Sequence, residues 1–418
     1  MNRQRVAIIG SGISGLTTAY LLQNKHDIVL FEANDYIGGH THTVAVQQNE
    51  DTHYIDTGFI VCNDRNYPNF LELMKKLKVE LQPTEMSFSV RNNSLDLEYN
   101  GHNLNTLFAQ RINFLRPKFY RLVRDILHFN KKAKEAIGAE ELEDATLDEF
   151  VDRHNLSNIF RNNYLMPMVA AIWSCSLKQA GDFPLKFFLK FFLNHGLLDI
   201  KDRPQWFVLV GGSRSYLEPM TCGFKDRIRL GTPVRSVVRK LSHIQVNYTS
   251  GTENFDEVIF ACHSDQALAL LSNANTKEKD ILGDLHYQEN DVILHSDDSL
   301  MPKKPLSWAS WNFLAGDRTR DEPPLVTYCM NILQSIKSQL PLLVSLNARD
   351  RIDSDKIIGE YNYSHPVYSL TGMKSQLRRN EICGVDRIHY CGAYWYSGFH
   401  EDGVRSALDV SEKFGASL

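Results

Sequence analysis

The chain has 418 residues, 43% of them hydrophobic, enough apolar material for one large core or for two domains sharing a boundary. A net charge of −4 and a pI near 6.4 give no global bias toward nucleic acid. Cys62, Cys175, Cys222, Cys262, Cys329, Cys383 and Cys391 make no CxxC and no metal-ligand spacing, which reads as reduced thiols in a cytoplasmic protein without a bound metal.

The N-terminus imitates an export leader: Arg3 and Arg5 precede 19 uncharged residues, Val6 to Asn24. Three glycines at fixed spacing argue instead for a folded strand–turn–helix. "RVAIIGSGISGLTTAYLLQNKHDIVLFEAND" carries an apolar run over 6–9, helical spacing over 16–22 and a second β-rich run over 28–31. Between strand and helix lies GxGxxG. Gly10 permits the tight turn, Gly12 lets the backbone approach a pyrophosphate, and Gly15 lets helix and strand pack closely. The amides of Ser11, Gly12, Ile13 and Ser14 then face an anion at the helix N-terminus. Glu32, with Ala33 beside it, closes the second strand 20 residues after Gly12, where a carboxylate accepts hydrogen bonds from ribose hydroxyls.

"NDYIGGHTHTV" (34–44) follows with Gly38, Gly39 and His40, and "YIDTGFIVCNDRNYPNF" (54–70) brings Thr57 and Gly58 back to the fold. With these motifs the sequence resembles the flavin-containing amine oxidoreductase superfamily of amine oxidases, phytoene desaturases and protoporphyrinogen oxidases. The resemblance, rather than the βαβ pattern, implies FAD as the cofactor. The lack of a cysteine in a motif like the one that anchors flavin in some amine oxidases implies non-covalent attachment. Residues 58–70, "AAIWSC" (170–175) and "GFHEDGV" (398–404) look like bacterial FAD-binding proteins encoded beside cyclopropane-fatty-acid synthases. That likeness implies a lipid or other apolar substrate, and a lipid methyltransferase as partner.

Further along, "RINFLRPKFYRLVRDILHFNKKAKE" (111–135) holds eight Lys/Arg against two acids, with Pro117 marking a helix start or kink. It reads either as a solvated basic face over a core stripe or as a patch for an anionic membrane surface, peripheral to the inner face. "PLKFFLKFFLNHGLL" (184–198) has four Phe and five Leu, more than one stripe needs, so it is buried or lines a channel. Tyr67 and Trp173 are pocket-lining candidates. "WFVLVGGSRSYLEPM" (206–220) precedes an alternating strand from Val234, the residue the resemblance places near adenine. "FDEVIFACHSDQALALL" (255–271) reads as strand, turn and helix, an architectural piece of the same sheet.

The chain closes with "RIHYCG", a short strand, and "EDGVRSALDVSEKF", a helix. By resemblance this strand–Gly–helix completes the FAD site through Gly392, Ala393, Phe399, Asp402, Gly403 and Val404, its helix N-terminus favouring negative charge on the flavin. Many relatives carry an acid where Ala393 stands, so that contact is absent here or supplied elsewhere. Tyr394, Trp395 and Tyr396 are expected to wall the substrate side. His400, His365 and Glu401 are the acid–base candidates.

The expectation is an α/β fold: a Rossmann-type FAD-binding domain in three segments (1–60, 205–265, 385–418) and a mixed α+β substrate domain in two (61–204, 266–384). The expected activity is oxidation or desaturation of an apolar, fatty-acyl or phospholipid, substrate by hydride transfer. The alternatives are an amine oxidase, a redox-neutral flavin isomerase, or a non-catalytic FAD-bound partner of a lipid methyltransferase. No second GxGxxG exists for a nicotinamide nucleotide, so electrons leave to oxygen, a quinone or a protein.

Overall fold

The computed structural model describes residues 3–137, 144–199, 203–316 and 319–418. Two sheets organise them. The first is parallel throughout, in the order Ile228–Arg229, Asp27–Phe31, Arg5–Ile9, Glu257–Phe260, Ile388–Tyr390. Its central strands read VAII, IVLF and EVIF and are buried on both faces, as parallel strands covered by helices must be. The helix Ile13–Leu22 leaves the first strand through the glycine turn and packs along the C-terminal helix His400–Lys413.

The second sheet has seven strands, in the order Ile357–Pro366, Tyr287–His295, Leu343–Leu346, Leu325–Cys329, Trp311–Ala315, Phe88–Asn92, Leu97–Asn100. All neighbours are antiparallel except Trp311–Ala315 against Phe88–Asn92. Helices from the middle of the chain share its core, with Phe119, Phe129, Phe160, Phe188 and Phe192 fully buried. Phe399 packs against the cores of both sheets and so sits at their junction.

Local chemistry explains the element ends. Pro117 occupies the first turn of Pro117–Ala136, where its missing N–H costs nothing, so it starts the helix rather than kinking it. The Phe-rich stretch forms the helix Leu185–Asn194, with Leu185, Phe188, Leu189, Phe191 and Phe192 buried. Among the described residues no helix is long and apolar enough to cross a membrane. All seven cysteines are free.

Candidate functional site

The carboxyl ends of the parallel strands open onto one cavity of about 1020 Å³ that reaches across to the seven-stranded sheet. Ligands in open α/β sheets bind at this position. The glycine loop forms its edge. Gly10 has φ +106°, and a Cβ there would lie 2.7 Å from the Ala261 carbonyl oxygen. A Cβ on Gly15 would lie 1.9 Å from the Gly10 carbonyl oxygen, so Gly15 serves helix–strand packing. A Cβ on Gly12 would meet nothing within 4 Å. No side chain caps the helix at Gly12, which leaves its first N–H groups for an anion.

The Glu32 carboxylate accepts hydrogen bonds from the Ser11 and Asn34 amides, each at 2.9 Å, and one from the Ser11 hydroxyl. It thereby ties the strand end to the glycine loop while lining the cavity. Gly38 donates its amide to the Ser11 carbonyl at 3.0 Å, and Gly39 has φ +58° with its Cα edge against Gly12. A Cβ on Gly58 would lie 2.2 Å from the His40 carbonyl oxygen, so only glycine lets these two loops touch. Ile13, Ser14, Ala33, Thr57, Val234, Gly392, Ala393 and Phe399 also line the cavity.

Imidazoles from both sheets meet in the middle. His40 lies 5.5 Å from His365 and 6.2 Å from His263, ring centre to ring centre. Burial and the neighbouring imidazoles hold His40 well below the ordinary histidine range, and burial brings His365 to about 4. His263 stacks on Tyr287 at 4.3 Å, and burial lowers it too. His400 stacks flat on Phe59 at 3.6 Å. Its Nε2 lies 3.1 Å from both the Thr41 and Tyr216 hydroxyls, and burial pushes its pKa to about 3. All four imidazoles are therefore neutral at pH 7.

Five buried polar atoms on the cavity wall have no hydrogen-bond partner among the described residues: His40 Nε2, Trp173 Nε1, Trp311 Nε1, Tyr368 OH and Tyr394 OH. Buried polar atoms are normally satisfied, so this wall is built to meet a polar ligand. Together with the open face of Gly12 and the uncapped helix end, these residues fit a dinucleotide with a second molecule beyond it. Tyr67, Trp173 and Tyr394 also line this cavity.

Several expected roles require correction. Glu401 accepts hydrogen bonds from the Asn69 and Phe70 amides and the Asn69 side chain, anchoring the helix Pro68–Leu77 away from the cavity. Asp402 caps its own helix by accepting from the Ser397 and Phe399 amides. Gly403 faces Ile13, whose Cγ2 would lie 2.6 Å from an added Cβ, so it serves helix packing rather than a flavin contact. Val404 is wholly buried in the same packing. Trp395 lies under the Arg379 guanidinium, and the Tyr396 hydroxyl donates to Asp409; neither walls the cavity.

In the other direction, Ala261, Cys262 and His263 line the cavity although 255–271 reads as architecture. The signal was present: they follow directly on a parallel strand, at its carboxyl end. Phe59, Tyr287, Tyr363 and Tyr368 were also missed, and nothing in their local pattern separates them from core aromatics.

The profile of a family described as flavin containing amine oxidoreductase matches residues 13–299 of this chain. A dog protein, "Amine oxidase [flavin-containing] A", is 46% identical over 54 residues, which cover 13% of this chain and 10% of that protein. The match thus spans a tenth of that curated relative's length. Among solved structures, cyclohexylamine oxidase from Brevibacterium oxydans IH-35A superposes with a TM-score of 0.70 at 15% identity, covering 99% of this chain and 100% of that one. A fatty acid isomerase from P. acnes, described as producing CLA, gives 0.70 at 14% identity over 98% of each chain. At these identities the likeness is one of fold.

Proposed function

This chain belongs to the flavin containing amine oxidoreductase family, with FAD as cofactor, and from that premise we propose that it oxidises or desaturates an apolar, fatty-acyl substrate. When bound, FAD supplies the two-electron acceptor. The chain's own residues bind, orient and exclude water. Amides at Ser11 to Ser14 take the pyrophosphate, Glu32 the ribose, and Val234 the adenine side. The segments that build the seven-stranded sheet take the substrate, which keeps the proposed division into FAD segments 1–60, 205–265 and 385–418 and substrate segments 61–204 and 266–384.

The charge of the lining supports the substrate class. Among the described residues its one carboxylate is Glu32, on the glycine-loop side, while Met86, Phe88, Met168, Ile172, Phe191 and Leu197 line the far side. A substrate ammonium entering there would lose its hydration and meet no counter-charge, which costs several kcal/mol. An acyl chain loses nothing by the same move. Arg203, the one lysine or arginine on the lining among the described residues, suits a carboxylate head group.

We propose His365 rather than His400 as the acid–base group. His400 Nε2 is already shared between two hydroxyls, whereas His365 projects from the second sheet toward the histidine cluster. The test is anaerobic flavin reduction by a panel of unsaturated fatty acids, phospholipids and primary amines. Bleaching by lipids alone is expected. Bleaching by amines alone would install the second reading, an amine oxidase, which the Tyr363, Tyr368 and Trp173 wall favours through cation–π contact. Double-bond migration without net bleaching would indicate an isomerase.

A further inference from the structure

The segment just beyond the cavity's second-sheet end exposes apolar side chains that a water-facing surface does not need. Leu104 is 77% exposed, Leu115 78% and Phe114 50%, with Ile112 and Tyr120 close to half. Single exposed leucines are ordinary, but these fall together within residues 104–120. Phe108 stacks on Phe114 at 4.1 Å and approaches Tyr120 at 6.2 Å, and the Tyr120 hydroxyl donates to the Phe114 carbonyl. Arg111 binds the Asn105 and Phe108 carbonyls and so ties the short helix Leu104–Leu107 to the same platform.

Cations surround this platform. Arg111, Arg116, Lys118, Arg121 and Arg124 are opposed by Asp96, paired with Arg116, and by Asp125, paired with Arg121 and Arg124. Five cations against two carboxylates leave a surplus of three positive charges, on a chain whose net charge is −4. Among the described residues no carboxylate pairs with Arg111 or Lys118. On the helix Pro117–Ala136, Phe119, Leu122, Phe129 and Ala133 face the core, while Tyr120, Arg124 and Leu127 share the outer face. An apolar platform beside a net surplus of cations, with Arg111 and Lys118 paired to no described carboxylate, matches the interfacial zone of an anionic bilayer, where acyl chains lie beneath negative head groups.

Position gives this surface a purpose. The exposed residues Gly101 and His102 line the cavity and stand three and two positions before Leu104, so the cavity opens beside the platform. We propose that residues 102–127 dock on an anionic phospholipid bilayer and hold the mouth at His102 against the lipid. The docking surface is independent of the substrate reading, because binding is read without turnover.

The test uses the flavin-loaded chain in co-sedimentation with vesicles of phosphatidylglycerol and phosphatidylcholine, and with phosphatidylcholine alone. Binding to the anionic vesicles, reversed by salt, is the expected result. Leu115→Asp, and separately the pair Arg111→Glu and Lys118→Glu, should each weaken it about tenfold or more. Flavin content serves as the folding control and should not change; because Arg111 also holds the Asn105 and Phe108 carbonyls, Lys118→Glu alone, which breaks no such bond, separates lost binding from a melting shift in the pair. No binding to anionic vesicles, equal binding to neutral ones, or binding indifferent to both variants overturns the proposal. So does a lipid-free dimer in sedimentation that Leu115→Asp dissolves, which would make a second copy the occupant.

Discussion

His40 and His365 face one another with ring centres 5.5 Å apart, one from the loop after the second parallel strand and the other from the edge strand of the seven-stranded sheet. With the Tyr363 hydroxyl, 2.8 Å from that of Thr57, this contact joins the nucleotide-binding loops to the substrate side. Both imidazoles are neutral at pH 7, so they can share a cavity without repulsion and accept a proton from a third party.

If His365 is the acid–base group, His365→Asn should slow substrate-dependent flavin reduction about 10²–10⁴-fold with FAD content unchanged. His400→Ala should slow it less than about tenfold, since its ring nitrogen is held by Thr41 and Tyr216. Stopped-flow reduction under anaerobic conditions measures both. The reverse ranking would return the role to His400.

Two glycines three positions apart, Gly12 and Gly15, should fail in different ways. A side chain at Gly12 enters the cavity, so Gly12→Val should give a folded protein that purifies without flavin absorbance. A side chain at Gly15 meets the Gly10 carbonyl, so Gly15→Ala should lower the melting temperature of the apoprotein itself. Wild-type flavin binding by Gly12→Val would remove the pyrophosphate from this turn. Acid precipitation of the parent should release the FAD; flavin that stays with the polypeptide would show a covalent bond.

Glu401 holds the N-terminus of the helix Pro68–Leu77 through three hydrogen bonds. Glu401→Ala strands buried donors and should cost about 1–3 kcal/mol of stability, with flavin reduction kinetics unchanged. A kinetic defect at unchanged stability would restore its catalytic candidacy.

Burial holds the folded-state pKa of His400 near 3, against about 6.5 in an unfolded chain. Above about pH 6.5 neither state binds a proton there and the contribution is whole. As pH falls the unfolded chain takes up a proton that the folded chain refuses, so stability is lost progressively toward pH 3. His400→Asn should therefore melt with a shallower acid dependence than the parent, by at most about 1.4 kcal/mol per pH unit. Asp56, raised to about 6 by burial, pulls the other way but equally in both proteins. Identical melting shifts between about pH 7 and about pH 5 would show that His400 titrates freely.

Much of the nucleotide half is legible in the sequence because its determinants are local. GxGxxG fixes a turn through the φ of Gly10 and the crossing at Gly15, and runs such as VAII and IVLF specify buried parallel strands wherever they pair. Glu32 is found by counting from Gly12. The FAD choice comes from resemblance, not from that geometry.

The far side of the site was settled only by packing between segments hundreds of residues apart. Trp395, Tyr396, Phe399 and His400 are close in sequence, yet Phe399 and His400 face the cavity while Trp395 and Tyr396 turn to Arg379 and Asp409. Glu401 looks like a catalytic carboxylate until the helix Pro68–Leu77 arrives to claim it. His263 is placed by the parallel pairing of Glu257–Phe260 with Arg5–Ile9, and His365 by the edge of a sheet whose strands span residues 88 to 366. A sequence states which side chains can ionise, stack or bend the backbone. Which of them face a common space depends on the directions of strands and helices in three dimensions, and that is decided when the two cores close on Phe399.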